Sequence, residues 1–234
     1  VLGEIAESKI DFFKDLVKSG HDVGSHGWNH IRPMTMGVEE FRADLHRCRD
    51  VMKEINGERG FGYRAPCFSL DRERLDIVRD SGFAYDSSRI EFGNHPLYGS
   101  IDMHGYDKHS EAIYRNGNFM EFETTTLSVL GKNIPISGGG YLRIFPWFLM
   151  KTLVSQYLKT NNIYVLYIHP FELSKLEVPP MPSSTSTITK FRYAYGRTRV
   201  KEKIIRLVNL LGDNGYTFTT FSEIQKDITS VSYD

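Results

Sequence analysis

The alternation of helix-like and strand-like segments over residues 8–86 restricts the fold of this chain more than any other feature of its sequence. Helical periodicity from about Ser8 to Ser19 precedes a strand-like stretch at 21–25, and a helix from Val38 to Ile55 precedes a second at 61–64. A third helix and a third strand-like stretch then follow in the same order, up to Asp86. Such alternation is typical of parallel βα units, whose functional groups gather at the carboxyl ends of the strands. We therefore predict an α/β fold.

Local capping signals predict where two of the helices begin. Asp71 can accept a hydrogen bond from the first turn of a helix that carries Leu75 and Val78 and ends at Gly82. Near the end of the chain, Thr220 to Glu223 resembles a capping box. Both segments are therefore expected to start helices.

Side chains that could take part in catalysis or metal binding follow several of the predicted strands. His26, Arg64 and Asp86 each come at or just after the end of a strand-like stretch. Ile163 to Ile168 is a near-continuous apolar run, typical of a strand buried on both faces, and it leads directly into His169. These four side chains are candidates for one active site.

Length and charge limit the classes of function. The chain has 234 residues, enough for one domain over 1–234 that forms a single α/β barrel. Lys and Arg together number 29, as do Asp and Glu, so no net field favours nucleic acid or an anionic membrane. The longest apolar runs are far shorter than the ~20 residues of a membrane span. Nothing in the sequence indicates an oligomeric state.

Two segments rich in glycine break the regular patterns. Periodicity fails over about 88–118, and a loop of this length can act as a lid. Gly138 to Gly140 would let the backbone approach a ligand closely, and Tyr141 could stack on a sugar ring. A tight turn followed by core aromatics explains the second segment equally well.

His26 and His30 have the spacing of a metal site. One turn-like segment can aim both imidazoles at the same point, although the spacing alone fits two surface or packing histidines equally well. The strand that leads in, and the glycines at 24 and 27, favour the metal site. A metal held by two histidines still needs a carboxylate from elsewhere.

Three motifs in order resemble those of the polysaccharide deacetylases, carbohydrate esterase family four. Ser25–His30 resembles the metal-binding motif, Arg64–Phe68 the Arg-x-Pro motif, and Leu166–His169 the last motif. The resemblance is closer to the branch encoded with bacterial exopolysaccharide loci, which also has segments like Tyr85–Ser88 and Gly138–Arg143. It extends over nearly all of the chain.

The resemblance implies a fold and a set of roles. The fold would be a distorted (β/α)7-type barrel, with His26 and His30 as metal ligands. Arg64 would pair with the catalytic carboxylate, and His169 would be the general acid. Asp86 would orient His169, although a strand-end cap is an alternative role for this aspartate. The expected substrate-binding residues are Pro66, Phe68, Gly139, Gly140, Tyr141, Arg143 and Leu166.

One family motif has no counterpart in this sequence. The family carries an acidic cluster after its first strand, which supplies the catalytic base and the third metal ligand. Val1–Gly3 resembles the end of the second strand, so the first strand-helix unit is expected to lie upstream of this chain. The chain as given would then lack its general base.

The function implied is metal-dependent removal of N-acetyl groups from amino sugars in a bacterial polysaccharide or its lipid-linked precursor. Zinc suits two histidines and a carboxylate with open positions, and cobalt, nickel or manganese can occupy the same ligands. A cytoplasmic location is favoured over an envelope-associated one. Two alternatives stay open: a non-catalytic carbohydrate-binding protein of the same fold, and a hydrolase of a small non-peptide amide.

Overall fold

The computed structural model describes residues 1–93, 95–174, 181, 183 and 185–230 of the chain. Its helices are α1 (Gly3–Ser8), α2 (Ile10–Lys18), α3 (Val38–Asn56), α4 (Arg72–Asp80), α5 (Gly139–Ile144), α6 (Trp147–Tyr157), α7 (Pro170–Leu173), α8 (Thr187–Ala194), α9 (Arg197–Asp213) and α10 (Phe221–Ser230). Its strands are β1 (Gly62–Tyr63), β2 (Tyr85–Asp86), β3 (Asp107–Ser110), β4 (Ile113–Asn116), β5 (Phe119–Phe122), β6 (Thr126–Val129) and β7 (Lys132–Pro135). Single 3-10 turns lie at Pro33–Thr35 and Pro66–Phe68.

The described chain forms two compact units. The first comprises Val1–Thr124 and the segment from Phe218 onward, and the second is Thr125–Thr217. Each unit has its own apolar core. That of the first includes Phe41, Leu45, Met52, Leu70 and Leu75. That of the second includes Ile136, Leu142, Met150, Val154, Val200 and Leu207. The organisation of residues 1–234 as one domain stays a prediction.

A five-stranded mixed sheet organises the first unit. Its strand order is β1-β2-β5-β4-β3. β1, β2 and β5 run parallel, with Tyr63 opposite Asp86 and Asp86 opposite Glu121, whereas β4 is antiparallel to both β5 and β3. The prediction of an α/β fold is confirmed. The finer prediction of a distorted (β/α)7-type barrel is not, because the described strands do not form a closed barrel.

The antiparallel half of this sheet comes from the segment over 88–118 that the sequence left irregular. β3 and β4 form a hairpin there, and a second tight turn at Gly117 joins β4 to β5. Such short connections join antiparallel strands, whereas parallel strands need a long crossover. The residues of β3 are mostly exposed and those of β4 mostly half-buried. Their side chains therefore show no clean alternation of polar and apolar character.

Two of the predicted strands are reduced to single backbone bridges. The stretch at 21–25 is extended, but only Ser25 pairs with a neighbour, opposite Tyr63. In the second unit, the apolar run at 163–168 contributes one bridge, from Tyr167 to Gly138. Its burial is only partial, so its apolar character reflects packing on the core of the second unit rather than a strand covered on both faces.

The predicted helix boundaries agree more closely with the structure. Asp71 caps α4, since its Oδ1 accepts the Arg74 N–H at 2.9 Å. The capping box before α10 is also present: Thr220 N–H donates to Glu223 Oε2 at 3.0 Å, and Glu223 N–H donates to Thr220 Oγ1 at 3.2 Å. Among the described helices, none combines the length and apolarity needed to cross a membrane.

Candidate metal and catalytic site

The histidine loop, residues 25–30, is held by backbone hydrogen bonds on both of its sides. The N–H of His26 donates to Val1 O at 2.8 Å, and the N–H of Arg64 donates to Ser25 O at 2.9 Å. The loop therefore leaves the carboxyl-terminal edge of the parallel strands at a fixed point. This is the place where the alternation of strands and helices predicts functional side chains.

Two left-handed residues give the loop its shape. Gly27 has a φ of 74° and His30 a φ of 67°. The second value is unusual for a residue with a side chain, and such strained conformations cluster at functional sites. The turn brings the imidazoles of His26 and His30 to a centroid distance of 5.1 Å, with their planes at 72°.

The environment of His26 selects one neutral tautomer of its imidazole ring. Nδ1 lies 2.6 Å from the Arg64 carbonyl oxygen, which can only accept a hydrogen bond. Nδ1 therefore carries the hydrogen, and Nε2 keeps its lone pair. Burial lowers the pKa of His26 to about 4, so the ring is neutral at physiological pH. A neutral imidazole fixed through its other nitrogen is the usual form of a metal-ligating histidine.

A polar and aromatic support lies behind the histidine loop. The Trp28 N–H donates to both carboxylate oxygens of Asp44, at 3.2 and 3.3 Å, and the Arg47 guanidinium stacks 3.3 Å from the Trp28 ring centroid. The ring also fills the space over Gly3, where a Cβ would lie 2.4 Å from it. Burial raises the pKa of Asp44. The spacing of Asp44 and Arg47 puts them on one face of a helix, but sequence cannot say which loop that face supports.

Arg64 connects the histidine loop to the segment after β2. Its Nε donates to Ser87 O at 2.7 Å, and its Nη2 donates to Ser87 Oγ at 2.6 Å. The guanidinium carbon also lies 5.8 Å from the centroid of the Phe68 ring. Two sequence motifs are thus joined here. The predicted pairing of Arg64 with a catalytic carboxylate stays a prediction.

Asp86 is fully buried and fixed by its neighbour Ser88. The Ser88 Oγ and N–H donate to the two carboxylate oxygens of Asp86, each at 2.8 Å. The same Oγ accepts the Ala65 N–H at 2.8 Å, so the carboxylate is tied to the turn after β1. This arrangement agrees with the strand-end capping role. The orientation of His169 by Asp86 stays a prediction, since the two residues belong to different units.

Glu121 forms a buried carboxyl pair with Asp86 that the sequence reasoning missed. The two residues are register partners on adjacent parallel strands, and neither is exposed to solvent. Burial, followed by the charge of Asp86, raises the pKa of Glu121 well above its ordinary value, and burial also raises that of Asp86. Glu121 therefore keeps its proton to a higher pH than an exposed glutamate does. A glutamate in a strand whose four residues are all buried was the available signal.

His169 lies in the second unit beside a buried carboxylate. Its side chain is 53% exposed, and its Nδ1 is 3.8 Å from Oε2 of Glu172, which is 1% exposed. The backbone N–H of His169 donates to the same oxygen at 3.0 Å. Arg143 Nε lies 3.7 Å from the other oxygen, Oε1. A side chain at position 139 would displace this carboxylate, because a Cβ there would lie 1.9 Å from Oε2.

The predicted substrate-binding residues are distributed over both units. In the first unit, Pro66 and Phe68 are buried in the turn that follows β1. In the second, Tyr141 and Leu166 are half-buried and pack on the core, and a Cβ at Gly140 would meet open space. Gly139 and Arg143 contact Glu172. Substrate binding by any of these seven residues stays a prediction.

The two imidazoles of the histidine loop fit two ligands of a divalent metal. Nε2 of His26 is available, and the Arg64 carbonyl provides the outer hydrogen bond that such a ligand needs. Across residues 1–93, 95–174 and 185–230, no group of three or more His, Cys, Asp or Glu side chains is placed to hold an ion. Metal binding by His26 and His30 stays a prediction.

Comparison with known proteins links the chain to deacetylases. Over 96 residues it is 28% identical to a peptidoglycan deacetylase of Helicobacter pylori, covering 41% of this chain and 33% of that protein. It is also 28% identical over 75 residues to the peptidoglycan deacetylase-like protein FGM2 of Gibberella zeae, covering 32% and 22% of the two chains. The chain thus spans a third or less of the length of these relatives.

Solved structures share the fold at low sequence identity. A putative polysaccharide deacetylase from Mycobacterium smegmatis superposes with a TM-score of 0.57 at 16% identity, covering 100% of this chain and 72% of that one. The structure of Puue allantoinase superposes with a TM-score of 0.57 at 12% identity, covering 96% of this chain and 64% of that one. A mutant of BA3943, a CE4 family pseudoenzyme, superposes with a TM-score of 0.50 at 14% identity, covering 96% of this chain and 55% of that one. The fold is therefore that of polysaccharide deacetylase structures.

Two family models together match almost the whole length of the chain. Residues 1–85 match the model described as polysaccharide deacetylase. Residues 87–226 match a model described as a domain of unknown function. Because this second match covers more than half of the chain, the protein belongs to the DUF3473 family, and its residues 1–85 are similar to polysaccharide deacetylases.

Proposed function

We propose that the protein is a metal-dependent deacetylase that hydrolyses the N-acetyl groups of amino sugars in a polysaccharide or its lipid-linked precursor. One observation carries the proposal. His26 is a neutral imidazole fixed through Nδ1 to the Arg64 carbonyl, and the ring of His30 lies 5.1 Å away. Two neighbouring imidazoles at a strand end, one of them fixed by a hydrogen bond, are suited to holding a divalent cation. The polysaccharide deacetylase match over residues 1–85 supports the assignment of this cation to amide hydrolysis.

The residues of the chain have distinct parts in this reaction. The bound metal would supply Lewis-acid polarisation of the acetyl carbonyl and a more acidic attacking water. His26 and His30 hold it. Arg64, anchored on Ser87, would orient the carboxylate that accepts the proton of the water. His169 would donate a proton to the leaving amine as the carbon-nitrogen bond breaks.

The base and the third ligand belong to the acidic motif that the resemblance implies. We propose zinc as the metal, because two histidines and one carboxylate with open positions suit it. The branch encoded with bacterial exopolysaccharide loci would make the substrate an N-acetylated exopolysaccharide. No net charge opposes or favours this neutral class of glycan, since basic and acidic residues are equal in number.

Release of acetate from N-acetylated oligosaccharides by the full-length protein tests the function. We expect release with zinc added, and loss by at least roughly 100-fold after chelation or in His26→Ala and His30→Ala. Measured zinc content should fall in the same two variants. His46→Ala, which removes an exposed histidine of α3, is the matched control and should keep both activity and metal.

Two results would contradict the proposal. Binding of the oligosaccharides without acetate release, in protein shown to contain metal, would indicate a non-catalytic carbohydrate-binding protein. Turnover of a small amide or ureide without release from glycans would indicate the other alternative.

A further inference from the structure

We propose that Glu172 is the positioning residue for His169: its carboxylate faces Nδ1 of the ring and leaves Nε2 to deliver the proton. The inference rests on the proposed function for the meaning of that proton transfer. The position of the hydrogen on the His169 ring, which is the geometric part of the inference, depends only on residues of the second unit.

Glu172 is fixed next to the imidazole by the backbone. Its Oε2 accepts the His169 N–H at 3.0 Å, and the same oxygen lies 3.8 Å from His169 Nδ1. The distance to the ring is that of an ion pair rather than a hydrogen bond. Hydrogen bonds of catalytic groups are often long without substrate and shorten in the reactive complex. The exposed ring would have to reorient to bring Nδ1–H within hydrogen-bond distance of the carboxylate.

The surroundings of Glu172 keep it in one place. The side chain is 1% exposed, and Arg143 supplies a positive charge with Nε 3.7 Å from Oε1. Gly139 leaves the space that Oε2 occupies, because a Cβ at that position would lie 1.9 Å from it. Within the segment 138–143, Gly139 and Arg143 thus contact this carboxylate, whereas Gly138 lies against the Tyr167 ring.

The ring nitrogen that carries the hydrogen decides what His169 can do. A carboxylate against Nδ1 favours the form of the ring that carries its hydrogen on Nδ1. When the carbon-nitrogen bond breaks, the proton on Nε2 moves to the amine nitrogen, and the ring is left neutral with its hydrogen on Nδ1. That hydrogen points at Glu172. Solvent then reprotonates Nε2 for the next turnover.

Nitrogen NMR of the His169 ring tests the geometric part without any activity. In the full-length protein at alkaline pH, we expect the neutral ring to be mainly Nδ1–H. In Glu172→Gln, the ratio of Nδ1–H to Nε2–H should fall by roughly threefold or more, since the attracting charge is gone. Gly139→Ala, which displaces the carboxylate but keeps it, should act in the same direction. Gly140→Ala, whose added methyl meets open space, is the control and should leave the ratio unchanged.

Kinetics test the catalytic part. Glu172→Gln should lower kcat for acetate release by about 10- to 100-fold with KM nearly unchanged, as expected for loss of an outer partner. Glu202→Gln, which removes an exposed carboxylate of α9, should leave both parameters unchanged. A fall in kcat without any change in the tautomer ratio would overturn the inference in favour of a structural role.

Two further outcomes separate this inference from others. If Asp86→Asn changes the tautomer ratio and Glu172→Gln does not, the positioning role belongs to Asp86 and the inference is wrong. If Glu172→Gln changes the ratio but the wild-type, metal-loaded protein releases no acetate, the placement of the ring is supported and the proposed function fails. Circular dichroism of each variant verifies that the fold is retained.

Discussion

Asp86 and Glu121 place two carboxyl groups side by side in a site closed to solvent. Both residues have an exposed fraction of 0%, and their strands put them directly opposite each other. Two charges at this separation in a dry environment repel strongly, so one proton is retained. Glu121 is the residue that retains it, because Asp86 receives both hydrogen bonds from Ser88 and Glu121 receives a single backbone N–H, from Arg89.

The first prediction concerns this retained proton. The pKa of Glu121 in the folded state lies above its ordinary value of 4.5, so above that pH the unfolded state releases a proton that the folded state keeps. Stability should therefore fall as pH rises from about 4.5, by up to about 1.4 kcal/mol per pH unit for one proton. Glu121→Gln should remove this slope and be more stable than the wild type at pH 8, because a buried neutral amide does not titrate.

Urea denaturation between pH 4 and pH 8 measures the effect. Glu58→Gln, an exposed substitution after α3, is the control and should follow the wild-type curve. Parallel curves for wild type and Glu121→Gln would show that Glu121 is ionised in the folded protein.

Sequence predicted some individual site residues and missed others for a clear reason. The spacing of His26 and His30 is local, so one turn suffices to bring the rings together. The contact of Glu121 with Asp86 joins positions 35 residues apart, and it depends on β5 lying parallel to β2. No short-range pattern encodes that pairing.

Helix ends show how far local chemistry determines the elements. Asp71 was predicted to cap a helix, and its Oδ1 does accept the Arg74 N–H, while its Oδ2 also pairs with the Arg74 guanidinium at 2.7 Å. A cap acts within one turn, so the sequence contains all of its parts. The opposite case is the break between α1 and α2, where Lys9 leaves the helical conformation with a φ of −142°. Periodicity predicted a helix from about Ser8 to Ser19, which agrees with α2, but it did not predict α1 before this break.

At the scale of this element, we predict that Asp71→Ala destabilises the protein by about 1 kcal/mol, the usual effect of losing an N-cap. The melting temperature should drop by roughly 2–4 °C for a chain of this size. Asp71→Asn keeps an acceptor for the Arg74 N–H and should recover most of the loss. If the two variants have the same lowered melting temperature, the ion pair with Arg74 rather than the cap is the stabilising contact.

Charge balance is a property of the whole chain. With 29 basic and 29 acidic residues, the molecule has no net field that could steer a charged partner. We therefore predict that kcat/KM for a neutral N-acetylated oligosaccharide changes less than about twofold between 0.05 and 0.3 M salt, whereas electrostatic steering changes association rates tenfold or more. A steep fall with added salt would contradict this prediction.

The sequence by itself determined the α/β class, the helix starts at Asp71 and Thr220, and the candidate residues of the histidine loop. These features depend on residue periods, caps and spacings that operate within a few positions. Only the tertiary structure decided that the sheet is mixed rather than a closed barrel, that Glu121 faces Asp86, and that Glu172 lies against His169 in the space left by Gly139. Such contacts arise from strand pairing and close packing between distant segments, and the energies that select them are absent from any local stretch of the chain.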